Sequence, residues 1–368
     1  MSKHILSFLT LAFAFGTFLF GAIGAFGLLG TSPANAEANR IGAQRAKLAE
    51  LRKVWGAFNV PAGTPVATDT ARKTTERDSG REQVSLFIKK TNFRFFNNIG
   101  FYVPELVAIL KATDPTQPVV FDDPFSFSIN PIQGKAQLSS AVLSELMNSH
   151  VFNFKGAPLR KITVTTKPDK LVFKGQMNRR GKWVPFKMTG PVSLEKGHVL
   201  VFAPIEVLVD GKNAGPVLKA ANVTLDELLT VKAPGAVLIG SKVYLDALAL
   251  FPPPKLQFSI KTAKLTAKGL ELVFQNVDSK KKPAQLIKFP DPIIKNDSHI
   301  MVRGGDVKFF RAVAVNSDVL IVNKDDGKPL DFSLYDYREQ ILGGHIKFTK
   351  SGAVLAYLQN YDAKLIGN

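Results

Sequence analysis

Between Ile162 and Ala203 the chain reads ITVTTKPDKLVFKGQMNRRGKWVPFKMTGPVSLEKGHVLVFA, a series of short alternating segments broken by turn residues. Ile162 and Val164 alternate with threonines, Leu171 and Phe173 with Val172 and Lys174, Val184, Phe186 and Met188 with Pro185 and Lys187, and Val199 and Val201 with Leu200 and Phe202. Alternation sends successive side chains to opposite faces of a pleated sheet. The breaks fall at Lys167-Pro168-Asp169, Asn178-Arg179-Arg180-Gly181 and Glu195-Lys196-Gly197, where Gly or Pro supplies the backbone angles of a reversal. This stretch predicts an antiparallel meander with at least one apolar face.

A chain of 368 residues has room for one large or two modest domains around such a sheet. The absence of cysteine excludes disulfides, thiolate metal sites and a Cys nucleophile. A formal net charge of +18 points to anionic partners, with nucleic acid and membrane headgroups as the main candidates. The N-terminus decides between them. Lys3 and His4 precede an apolar run from Ile5 to Gly30, and Ala34-Asn35-Ala36 forms an A-x-A cleavage pattern. Residues 1–36 are therefore expected to be an export signal, with the protein in the periplasm or cell envelope, membrane-anchored if 5–30 stays uncut. Export separates the chain from nucleic acid and turns its charge toward an anionic membrane surface or envelope polymer.

Residues 37–83 read as a polar N-terminal helix and linker. Ile41, Leu48, Leu51, Trp55 and Phe58 recur at helical spacing beside Arg45, Lys47, Arg52 and Lys53, which suits either a membrane-surface helix or one docked on its own domain. A domain is expected over 84–276. Val84 to Ile88 opens it as a strand or a helix start, and Phe101 to Leu110 is expected to be a helix with Pro104 in its first turn. Phe125 to Ala136 alternates as a strand pair. Ser139 or Ser140 then caps a helix through about Asn148, with Leu138, Val142 and Leu146 on one face. Short helices are expected to start at Gly215-Pro216 and Thr224, and alternation at Leu256, Phe258 and Ile260 leads through a hairpin to Phe274. Residues 277–292, with three consecutive lysines, form a connector. The β-rich extension 293–368 either adds strands to the first sheet or forms a second layer.

The segments ITVTTKPDKLVFKGQ, VPFKMTGPVSLEKGHVLVFAPIEVLVDG and LQFSIKTAKLTAKGLELVF, preceded by a short helix at Ser139 to Asn148, resemble the tubular lipid-binding (TULIP) superfamily. The resemblance, to its bacterial exported LmeA-type branch, covers roughly 119–274 and rests on spacing, alternation and Gly175, Gly190, Gly197 and Gly211. It implies an α+β, mostly β fold: a long, curved antiparallel sheet wrapped around a helix, with an apolar groove that holds acyl chains.

Transferring a sixteen-carbon chain to water costs on the order of 12 kcal/mol, so a carrier must offer it an apolar wall. Candidates for that wall are Phe125, Phe127, Val142, Leu146, Leu171, Phe173, Val184, Phe186, Met188, Phe202, Phe258 and Phe274. Each also suits an ordinary core. Arg179, Arg180, Lys182 and Trp183 at the hairpin are candidates for membrane or headgroup contact, or else a solvated basic turn. Asp122-Asp123 reads as paired carboxylates or, more simply, an Asp-Pro turn. Asn323, Asp325 and Asp326 with Gly327 lack the closing Glu of a calcium loop and read as a turn. The five histidines show no ligand spacing, and no phosphate loop or nucleophile elbow occurs. The expectation is a non-enzymatic binding protein for acyl lipid or phospholipid, with no cofactor. The alternative is an envelope structural or interaction protein that holds an acidic polymer or membrane surface without internal lipid.

Overall fold

A computed structural model describes residues 83–361 apart from 97, 230, 232–234, 252, 276–291, 310–311 and 351. The export signal, the Trp55 helix, the linker before Gln83 and nearly all of the connector lie outside the described residues. The strands are β1 (Gln83–Phe96), β2 (Ile99–Ala112), β3 (Val119–Val120), β4 (Phe127–Leu138), β5 (Leu159–Lys167), β6 (Lys170–Arg179), β7 (Lys182–Gly190) and β8 (Val192–Glu195). There follow β9 (Val199–Phe202), β10 (Glu206–Val209), β11 (Lys212–Asn213), β12 (Ala236–Ile239), β13 (Lys242–Asp246), β14 (Lys255–Leu256), β15 (Ser259–Thr266) and β16 (Gly269–Gln275). The last are β17 (His299–Arg303), β18 (Val307–Phe309), β19 (Ala312–Ala314), β20 (Asp318–Asn323), β21 (Asp331–Ser333), β22 (His345–Phe348) and β23 (Val354–Leu358). Helices are short: α1 (Ser140–Leu146), α2 (Gly215–Ala221), α3 (Ala247–Leu250) and α4 (Tyr337–Leu342). The protein is mostly β.

The chain divides into two units. The first takes Ser139–Leu250 and Ala263–Leu270; the second takes the described residues before Ser139, Phe251–Thr262, and those from Glu271 onward.

The second unit holds most of a large sheet with strand order β15-β16-β4-β2-β1-β17-β20-β23-β22, with β14 beside β4 and β21 beside β1. Strands of the C-terminal extension thus join the first sheet, since β17 pairs antiparallel with β1 from Ser85 opposite Arg303 to Lys89 opposite His299. The sheet is mixed, because β20 with β23, β1 with β21 and β4 with β14 run parallel. Phe87, Val107, Met301, Leu320, Val322 and Leu355 form a buried core cluster.

Phe101 to Leu110 is strand β2 and not a helix. Leu106, Val107 and Ala108 are buried in succession, so the sheet is covered on both faces there and the period-2 signal vanishes from the sequence. Pro104 is accommodated at an irregularity. Val103 pairs with Thr91 and Glu105 with Lys89, while Lys90 opposite it takes a φ of 45° and the β2–β4 register shifts between Tyr102 and Glu105.

His299 opens β17 as a buried side chain whose Nδ1–H donates to the Asn296 carbonyl at 2.7 Å. Burial is the main cause holding its pKa below the ordinary histidine value. The folded state therefore binds this proton less readily than the unfolded chain. The stability involved is complete above about pH 6.5 and falls as the pH drops through the depressed folded pKa. The urea-unfolding midpoint of the native protein should exceed that of His299→Gln at pH 7.5, and the gap should narrow by pH 5. Parallel pH profiles would contradict this assignment.

In the first unit the meander parts into two sheets. One has the order β11-β10-β7-β6-β5 and the other β12-β13-β9-β8. The break falls at Gly190-Pro191, where a Cβ on Gly190 would lie 2.1 Å from the Ala203 carbonyl oxygen, so only glycine allows that close approach. The β6–β7 and β10–β11 turns form as their sequences require, with Arg180 at φ 50° and Gly181 at 79°, and Asp210 at 52° and Gly211 at 72°. Positive φ at both central positions matches the right-handed twist of the flanking strands.

Ser139 caps α1 as expected, its hydroxyl accepting from the Val142 amide at 3.3 Å. Beyond the cap, α1 and the π turn after it (Met147–Val151) zip along the open edge of β5. Ser140 Oγ accepts from the Thr166 amide at 3.1 Å, and Ser144 Oγ from the Val164 amide at 2.8 Å. Asn148 Oδ1 accepts from the Ile162 amide at 2.8 Å, while its Nδ2 donates to the Ile162 carbonyl at 2.7 Å. Four helical residues advance about 6 Å and two strand residues about 6.8 Å, so the two repeats stay in step over three contacts. The polar stripe thereby covers the edge that strand pairing leaves open. Asn148→Ala should cost about 2 kcal/mol by urea unfolding and expose the Ile162 amide to hydrogen exchange, because it strands both backbone groups of that residue. Unchanged protection at Ile162 would show that the edge is satisfied another way.

Candidate functional site

The five-stranded sheet of the first unit has two chemically opposite faces. Register places Phe173 opposite Met188, Gly175 opposite Phe186 and Met177 opposite Val184, with Leu171 on the same side. This face is apolar, and Leu171, Phe173, Phe186, Met188 and Val207 on it are buried. Gly175 makes room for the Phe186 ring, since a Cβ there would meet Phe186 Cε1 at 2.9 Å. Phe202 of the four-stranded sheet packs on Phe173 with ring centroids 4.9 Å apart.

The opposite face carries lysines on either side of a buried Val172. Lys167 stands directly across from Lys170, and Lys174 directly across from Lys187, with Thr163 and Thr165 between them on β5. Lys167, Lys170, Lys174, Thr163 and Thr165 are all exposed. Lys187 Nζ lies 2.8 Å from Glu206 on the neighbouring β10. That ammonium, by its hydrogen bond, is the leading cause holding the Glu206 carboxyl below its usual pKa. Toward the hairpin end, the Arg160 guanidinium lies 3.9 Å from the Trp183 ring centroid and its Nε donates to Gln176 Oε1 at 2.9 Å.

The predicted wall residues fall in both units. Val142, Leu146, Leu171, Phe173, Val184, Phe186, Met188 and Phe202 lie in the first; Phe125, Phe127, Phe258 and Phe274 lie in the second. In the second unit Phe258 and Phe274 pair at 5.1 Å, and Phe127 stacks on Phe121 at 5.9 Å. The predicted hairpin residues also divide. Trp183 belongs to the basic face, Arg180 sits in the turn, and Arg179 and Lys182 pair across the strands with the parity of the apolar face. Reading the hairpin alone missed the lysines of the basic face, which adjoin only once β5, β6 and β7 are in register.

The two aspartates at 122 and 123 have separate roles. Asp122 is buried in the second unit, where Oδ1 accepts from the Tyr337 hydroxyl and from Arg338 Nε at 2.8 Å, and Oδ2 lies 2.7 Å from Arg338 Nη2. The Phe121 and Phe309 rings, 4.7 Å apart, each meet the Tyr337 ring edge-on. Burial first, and then the Asp122 charge, pushes the Tyr337 phenol well above its ordinary pKa. This geometry ties α4 to the segment after β3. Asp123 Oδ1 accepts from the Phe125 amide at 3.1 Å, as an Asp-Pro turn requires.

Asn323 Oδ1 likewise accepts from the Asp325 amide at 2.9 Å and stabilises a turn. Among the described residues no group of His, Cys, Asp or Glu is placed to hold a metal ion. No family model, curated protein or solved structure matches this chain.

Proposed function

We propose that the chain is an exported, non-enzymatic lipid-binding protein whose first unit holds acyl chains in a groove along its apolar layer. The observation that carries this reading is the clustering of Leu171, Phe173, Val184, Phe186 and Met188 on one face of one sheet, with Phe202 packed against it. Such a layer offers an acyl chain methylene contacts without hydroxyls that need partners. The finer architecture, a sheet curved around α1, belongs to the same proposal. Its support is the burial of Leu143 and Leu146 on α1, which lies beside β5.

Vesicles carrying a self-quenched fluorescent phospholipid test the reading directly. Protein that extracts the lipid should relieve quenching in proportion to its concentration, and Phe173→Ser with Phe186→Ser should abolish that rise. A second reading, a solidly packed envelope protein that holds an acidic polymer, is favoured by the close Phe173–Phe202 contact. No dequenching by the native protein would select it.

A further inference from the structure

We propose that the basic face of the five-stranded sheet is a docking surface for an anionic phospholipid bilayer, whether or not the first unit carries a lipid inside. Lys167 opposite Lys170 and Lys174 opposite Lys187 set like charges side by side across two strand pairs, an arrangement that weakens a sheet. Glu206, beside Lys187 at 2.8 Å, offsets part of that charge. From Leu159 to Gly190 the sequence contains a single acid, Asp169, against a run of lysines and arginines. The face is thus complementary to negative charge supplied from outside.

The shape of the array selects the partner. The lysines of each pair lie about 5 Å apart between strands, and the two pairs stand about 14 Å apart along β6, with Val172 between Lys170 and Lys174. A bilayer's headgroups present a matching two-dimensional field, whereas a single polyanion chain is gripped along one line. At the end of the array, Trp183 under the Arg160 guanidinium, next to the exposed Arg180 turn, supplies the aromatic and cationic pair suited to the headgroup level.

Flotation of the full chain with phosphatidylcholine vesicles, with and without phosphatidylglycerol, tests the assignment. Each lysine held at an anionic leaflet contributes about fivefold to partitioning, and Lys187, paired with Glu206, contributes less, so replacing Lys167, Lys170, Lys174 and Lys187 by Gln should lower binding to phosphatidylglycerol vesicles on the order of a hundredfold. A control with Lys111, Lys255, Lys328 and Lys350 replaced by Gln has the same net charge and should stay within about tenfold of the native protein. Circular dichroism should be unchanged in both. If the fourfold variant fails to fold, Lys174→Glu alone should still show the loss in smaller measure. Equal losses in the two variants, no loss in the face variant, or native protein that prefers a soluble acidic polymer to the vesicles would each overturn the proposal. Dequenching on phosphatidylcholine vesicles without phosphatidylglycerol should persist in the face variant and so separates the two proposals, since lipid uptake into the apolar layer does not need these lysines.

Discussion

Asp122→Ala should lower the stability of the second unit by about 3–5 kcal/mol, because it leaves the Arg338 guanidinium buried without its counter-charge. The side chains of Arg338 and Asp122 are only 11% and 6% exposed, so water replaces little of what is lost. Asp122 also accepts from Tyr337, whose hydroxyl would lose this acceptor. A buried pair that is costly to break can be cheap to replace whole. Asp122→Leu combined with Arg338→Met should therefore recover most of the loss. Urea unfolding followed by a probe in the second unit measures both, and a single variant within 1 kcal/mol of the native protein would mean that the pair is hydrated in solution.

Phe202→Ala should cost the first unit about 3–5 kcal/mol, through lost transfer energy and the cavity left beside Phe173. Phe202 is among the largest fully buried side chains, and its strand β9 is paired on both sides, by β8 and β13, which limits collapse into the space. Phe202→Leu should cost much less. A double-mutant cycle with Phe173→Ala should show coupling of about 0.5–1.5 kcal/mol beyond area burial, as expected for aromatic rings in contact. Additive losses would show that the two sheets do not meet through these rings.

Much of the local structure was legible because its causes are local. The αL pairs Arg180-Gly181 and Asp210-Gly211, the Ser139 cap and the alternation of β6 and β7 each depend on a few adjacent residues. Segment β2 was not legible, since burial on both faces removed the alternation that would have distinguished it from a helix. The zipper on β5 had a signal in the spacing of Ser140, Ser144 and Asn148, but only the apolar face of that helix was read. The Asp122 cluster had none, with Tyr337 215 positions further along the chain. The basic face is intermediate: its lysines are plain in the sequence and their opposition follows from the two-residue turns at Pro168-Asp169 and Arg180-Gly181, but the pairing of Arg160 with Gln176 depends on a register shift between Arg160 and Thr163.

The central claim, that the first unit binds acyl lipid, is tested most directly by native mass spectrometry of detergent-free protein with lipid extraction of the same sample. The account predicts a retained acyl lipid, absent from a folded Phe173→Ser, Phe186→Ser variant. Native protein that is free of lipid and takes up no added phospholipid would contradict it.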